Sequence, residues 1–299
     1  MTSAFTAVDL SRLPFPAVVE SLDVEAIVSA MLADLRARDP EFTALVESDP
    51  AYKILEACAY RELLLRQRVN EAAKAVFLAY AAGSDLDQIA ANFNVERLVL
   101  TPANPNTLPP TPAALEPDDD LRRRVQLAFE GLSTAGPEGA YVFHALGAHP
   151  DVLDASATSP TPGVVAVSVL SRVGPGAPDE PVLAAVAAAL ADDDVRPLTD
   201  QVNVVAATIV NFTVVASLTL YPGPDSTVVL AEANARLTDY LARSRRLGRD
   251  VTRSGVFAAL HAEGVQNVVL TQPAADVVVT ASQAAFCTDR SITVAGTGE

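Results

Sequence analysis

The chain has 299 residues, half of them hydrophobic, so it has material for two or more packed cores and is not a disordered tail. Its 21 basic against 37 acidic residues give a net charge of −16, which argues against a sequence-independent grip on nucleic acid, because phosphate binding needs clustered cations that release counterions. No apolar run approaches the length of a membrane span, and MTSAFTAVDL lacks the basic start and apolar core of a signal peptide, so no membrane insertion is expected and synthesis is placed in the cytoplasm.

In chain order, the first predicted element is an amphipathic helix over Val24 to Arg38, interrupted at Pro40, with a second helix beginning at Glu41. A long helix starts after Pro50 and runs from Ala51 to Ala82, about 48 Å at about 1.5 Å per residue. Leu65, Val69, Ala72, Val76, Ala79 and Tyr80 form a 3.6-residue apolar stripe on it. Arg61, Arg66, Arg68, Glu71 and Lys74 occupy much of the remaining circumference. Such a length exceeds what the core of one small domain requires, so part of this surface suits a partner; the alternative is a core helix with a salt-bridged solvent face, for which Glu62 and Arg66 at i,i+4 are apt. Gly83 is expected to close the helix in the left-handed conformation, and Ser84 with Asp87 to cap a short one after it.

The stretch Thr101 to Pro117 is dense in proline and without a regular period, which reads as an extended linker or an edge-covering arm. Helices follow over Asp119 to Leu132, where three aspartates precede three arginines in a dipole-compatible order, and from Pro137 to Leu146. Beyond Ala155, Val- and Thr-rich runs alternate with Ala-rich helical patterns. Val164 to Leu170 reads as a strand, Pro181 to Ala191 as a helix, and Gln201 to Thr208 as a strand returning beside the first. A larger repetition of the pattern comes next: a strand Val210 to Leu220, helices Ser226 to Ser244 and Thr252 to Glu263, and strands Val265 to Leu270, Asp276 to Ala281 and Ser291 to Val294. The fold class is therefore α+β, organised as a helical region 1–98, a proline-rich linker 99–117, a helical connector 118–154, and two small α+β units in series at 155–208 and 209–299.

The residues of catalysis are sparse. His144 and His149 would point about 140° apart on a helix and could not share a metal, and no GxSxG, GxxxxGK[ST], HExxH or GxGxxG motif occurs. Asp118 to Asp120 and Asp192 to Asp194 lie at helix ends without a matching second cluster, which suits solvated loops. Arg122 to Arg124 and the group Arg243, Arg245 and Arg246 are short basic runs of the kind usually found on solvated faces. Cys58 and Cys287 have no CxxC spacing and read as buried free thiols. No catalytic residue, metal site or cofactor is predicted, and the chain is read as a non-enzyme.

The wording of several stretches, taken in order, resembles the baseplate assembly protein J family of contractile phage tails and R-type contractile bacteriocins. They are DLSRLPFPAVVESLD, YRELLLRQRVNEAAKAVFLAYAAGSDLD, DDDLRRRVQLAFEGLSTAGPEGAYVFHALGAHPDV, VRPLTDQV, LYPGPDSTVVL and LGRDVTRSGVFAALHAEGVQ, and they span nearly the whole chain. What the resemblance implies is a structural wedge component, present in several copies. Its partners would be other copies of itself, a smaller wedge protein and the sheath-initiating protein, in a ring around the central spike whose rearrangement releases sheath contraction. Residues 1–98 would be the wedge or core-bundle domain, and the product, made in the bacterial cytoplasm, would end in the tail baseplate. The long helix is then the expected interface, with Arg61, Leu65, Arg66, Arg68, Val69, Asn70 and Glu71 as its contacts. Two other classes stay open: a receptor-binding module, which should favour exposed aromatics although these make up 5% here with no Trp, and a tail-associated cell-wall hydrolase, which should carry a carboxylate pair or zinc set.

Overall fold

The computed structural model describes residue 10 and residues 13–41, 46–133, 136–223 and 225–298. The chain divides into two compact units, one formed by Ala7–Arg97 with Pro117–Val125 and the other by Leu98–Glu116 with Gln126–Glu299.

The first unit is helical. Helix α1 (Val24–Arg38) and helix α2 (Pro50–Ala75) pack through Ile27, Val28 and Ala59, with Met31, Leu32, Tyr52 and Leu63 around them. Asp23 caps α1 by accepting from the N–H groups of Glu25 and Ala26, and Asp49 caps α2 at Ala51, where Pro50 needs no donor partner. The expected helix from Glu41 falls largely on residues 42–45, outside the described residues.

Two expectations about the long helix are corrected. It ends at Ala75, so its length is about 39 Å at about 1.5 Å per residue. Residues 76–80 form turns, and Gly83, at φ +53°, opens helix α3 (Gly83–Ala91) instead of closing α2. The carbonyls released by this early stop have a partner. Arg122, on helix α4 (Asp118–Leu127), donates to Leu78 O and Ala81 O, both at 2.8 Å. Tyr80 Oη donates to Leu13 O and Pro14 O, anchoring the N-terminal strap over the turn.

In the second unit the proline-rich stretch folds back on itself, with β1 (Val99–Thr101) antiparallel to β2 (Ala114–Leu115) and a further bridge between Asn104 and Thr111. Helix α5 (Glu138–Ala148) precedes β3 (Val152–Thr161), β4 (Val164–Ser171), helix α6 (Glu180–Leu190) and β5 (Gln201–Ala206). The sheet order is β3-β4-β5, antiparallel and then parallel, so the last strand does return beside β4. Tyr141, Leu146, Val152, Val167, Val169 and Val186 are buried between this sheet and its helices. Strand β3 was missing from the sequence reading. Its VLDASATSPT is rich in small and polar residues of low strand preference, and only pairing with β4 makes it extended.

The same unit continues through β6 (Thr208–Leu220), helix α7 (Ser226–Ser244), helix α8 (Arg253–Leu260), β7 (Val265–Gln272) and β8 (Gln283–Thr297). Here the order is β7-β6-β8, with β6 antiparallel to β7 and parallel to β8. Val214, Leu218, Leu237, Val256, Leu260 and Val268 fill the space between sheet and helices. Asp276 to Ala281 is not a strand. It carries one isolated bridge, Val277 to Val251, and Val279 N–H donates to Asp250, while the edge strand is the whole of Gln283–Thr297. The α+β class holds, with a helical region followed by two small sheets each covered by helices.

Candidate assembly interface

Helix α2 meets α1 along one face, and among the described residues an apolar row on its outer surface, flanked by charged side chains, is left exposed. Ile54 is 63% exposed, Leu65 69% and Val69 59%, and just past its end Val76 is 70% exposed. A helix in water normally turns such residues inward, so a row of them along one helix needs another surface to cover it. Arg61 and Leu65 line a shallow groove with Met31, Ile54, Ala57 and Cys58. Cys58 is thus exposed and free, against the expectation of a buried thiol, because none of the described residues covers the face that carries it.

The polar residues expected at the interface divide into two kinds. Arg66 is held by Glu62 at 2.7 Å and by Glu20 at 3.0 Å, which fixes its guanidinium at the rim of the stripe. Arg68 and Glu71 face each other at 3.7 Å, and Glu71 also accepts from Gln67 at 3.1 Å. Arg61 has no ion-pair partner among the described residues. Asn70 differs: it is 8% exposed, its Oδ1 accepts from Glu20 N–H at 3.0 Å and its Nδ2 donates to Glu20 O at 2.9 Å. Its amide therefore clasps the N-terminal strap against α2, and the exposed set comprises Arg61, Leu65, Arg66, Arg68, Val69 and Glu71. Ile54 belongs to this set and was not picked out; its spacing from Cys58, Arg61 and Leu65 is the signal that the same helical period extends toward the N-terminus.

The base of the unit is pinned electrostatically. Arg97 pairs with Asp87 at 2.6 Å and Asp118 at 2.8 Å, and Asp118 also accepts from Gly83 N–H at 3.1 Å. Burial alone would raise the Asp118 pKa, but the Gly83 hydrogen bond and the Arg97 hydrogen bond and charge outweigh it and hold it below the usual carboxylate range.

Among the described residues no group of three or more His, Cys, Asp and Glu side chains is placed to hold a metal, and no helix is long and apolar enough to cross a membrane. His144 lies 3.1 Å from Gly131 O and His149 accepts from Asp151 N–H, each in its own local contact. Tyr141 donates to Asp200 at 2.7 Å, and burial together with that carboxylate pushes the phenol pKa up.

Three family models match the chain in succession: the baseplate J-like N-terminal domain over residues 47–104, the baseplate J-like central domain over 133–206, and the baseplate J-like protein C-terminal domain over 210–294. The first of these regions contains the whole of α2. Baseplate protein J of Escherichia phage P2 is 50% identical over 299 residues, covering 98% of this chain and 99% of that protein. Matched in all three regions, and half identical along almost its entire length to a protein of that kind, the chain belongs to the baseplate J-like family.

Proposed function

We propose that this chain is a structural component of a contractile-tail baseplate, forming wedges that close into a ring around the central spike and couple rearrangement of that ring to sheath contraction. Family membership supports the baseplate role and a non-enzymatic one, in keeping with the sequence reading. The observation that carries the finer reading is the uncovered apolar row of α2, framed by Arg61, Arg66, Arg68 and Glu71. In this reading α2 packs against a second copy of the chain and a smaller wedge protein. Its apolar row supplies affinity, and the charged frame sets register and partner choice. The α+β units contact neighbouring wedges and the sheath-initiating protein. Nothing in the mechanism requires a bond to be made or broken; the work is a change of packing between rigid bodies.

The test is Leu65→Asp combined with Val69→Asp. Both side chains are exposed, so the isolated protein should keep its far-ultraviolet circular dichroism and melting profile. Burying each at an interface is worth roughly 1.5–3 kcal/mol, and each aspartate adds a desolvation cost. The native mass of the variant, co-expressed with the smaller wedge protein, should fall to that of the separate chains. A hetero-complex of unchanged mass, or normal particles, would remove α2 as the interface.

A further inference from the structure

The central and C-terminal family regions meet at residues 207–209, and the join between two domains is where a hinge is ordinarily sought. This join is unlike a hinge. Strand β5 ends at Ala206 and β6 begins at Thr208, leaving Ala207 as the whole connection, and it is 5% exposed. Its N–H donates to Val169 O of the first sheet at 2.9 Å, and the next N–H, of Thr208, donates to Ser282 O beside the second sheet at 3.0 Å. A hinge residue must change φ and ψ without breaking hydrogen bonds on either side, and this one cannot.

Contacts on both sides of Ala207 close the seam. Leu170, Ala207 and Ala284 are buried together with Leu153, Ile209 and Leu247 packed on them. Asp154, 2% exposed on β3, accepts from Leu247 N–H at 2.9 Å. Arg245, at the end of α7, donates to Gly174 O at 2.7 Å and Ser171 O at 3.2 Å, with its guanidinium 5.2 Å from the centre of the Phe286 ring. Ser156 Oγ donates to Ala281 O at 2.6 Å. Gly176, at φ +119°, admits this approach: a Cβ there would stand 2.6 Å from Leu170 Cδ1 and 3.2 Å from Ile209 Cδ1. Opening the seam would break these apolar and polar contacts together, which makes it a cooperative lock.

We infer that the central and C-terminal regions are one rigid lever, and that the seam at Ala207 stays shut while the protein changes its packing against partners. The rigidity stands on this geometry; its use in a baseplate rests on the function proposed above. The test is amide hydrogen exchange on the full chain and on assembled baseplates before and after contraction. In the free chain the amides of Ala207, Thr208 and Leu247 should exchange within about tenfold of Val214, Ala216 and Leu218 in the β6 core, and Arg245→Ala with Asp154→Ala should accelerate the first group about a hundredfold while leaving the second unchanged. Rapid exchange at the seam of the unaltered free chain overturns the lever outright. Protection in the free chain that is lost after contraction also overturns it, by identifying the seam as the moving joint. A chain that never enters a baseplate refutes the proposed function, and the free-chain measurement still decides the lever.

Discussion

At the scale of single residues, the buried Asn70 ties helix α2 to the N-terminal strap. Its amide matches the backbone of Glu20, 50 residues away, in both directions, so its role is inside the helical unit and not at the exposed face. No local period announces such a partner, because the strap that carries Glu20 has no regular secondary structure. Asn70→Ala should lower the stability of the helical unit by roughly 1–3 kcal/mol, since the Glu20 N–H and C=O lose a part-buried partner. Urea denaturation of the variant would measure it, and a midpoint equal to that of the unaltered protein would show that water replaces the amide at no cost. Asp118 permits a pH prediction. Its folded pKa lies below the unfolded value of about 3.9, so the unfolded chain takes up the proton more readily. The stability it contributes is fully present above that unfolded value and disappears as pH falls through the folded one. Asp118→Asn should therefore be less stable than the unaltered chain at pH 7, and the difference should shrink on acidification. A difference independent of pH would remove the Arg97 pairing as its cause.

At the scale of elements, the positions of helices were legible where a cap and a period agreed. Val24–Arg38 and Ser226–Ser244 were read to the residue, because Asp23 and Asp225 mark the starts and amphipathic spacing carries the rest. The end of α2 was not legible. Helical periodicity continues through Ala82 and Gly83 is the first local breaker, but Arg122 from α4 takes the carbonyls of Leu78 and Ala81 and Tyr80 reaches back to Leu13, so tertiary contacts stop the helix sooner than propensity does. Arg122→Ala should release this turn. Amides of residues 77–82 should exchange faster by at least about tenfold, while those in the middle of α2 stay as they were. Uniform acceleration along the helix would instead mean that Arg122 supports the whole unit. Strand β8 was legible only in part: Ser291 to Val294 is predicted and lies within it, but the valine run at 277–279 is the stronger strand signal in isolation, and the parallel ladder along β6 pairs the more polar Gln283–Thr297 instead.

At the scale of the whole chain, the order of helical region, proline-rich stretch and two α+β units could be read from composition, but the welding of the last two could not. The residues that join them, Asp154 with Leu247 and Ser156 with Ala281, are 93 and 125 positions apart and look like ordinary loop and strand residues. This matters for truncation. Under the proposed function, removing Val210 to Glu299 asks whether the C-terminal region closes a ring, and with α2 intact the shortened chain is expected to keep the proposed α2 contacts while failing to form rings. The seam adds a second consequence, because the deletion strips Leu170 and Leu153 of Ala284 and Leu247 and takes the Leu247 N–H from the Asp154 carboxylate. Losing a hydrogen-bond donor to a buried carboxylate and uncovering that apolar cluster should lower the melting temperature of the central sheet by several degrees, by roughly 2–4 °C for each kcal/mol lost. Calorimetry of the shortened chain would decide: an unchanged central transition would mean the two regions fold independently and the lever is not a unit. A lowered transition together with wedges that do not close would mean that loss of rings in this variant cannot be assigned to a missing contact surface alone, and that ring contacts must be mapped in the full chain with exposed substitutions on the second sheet.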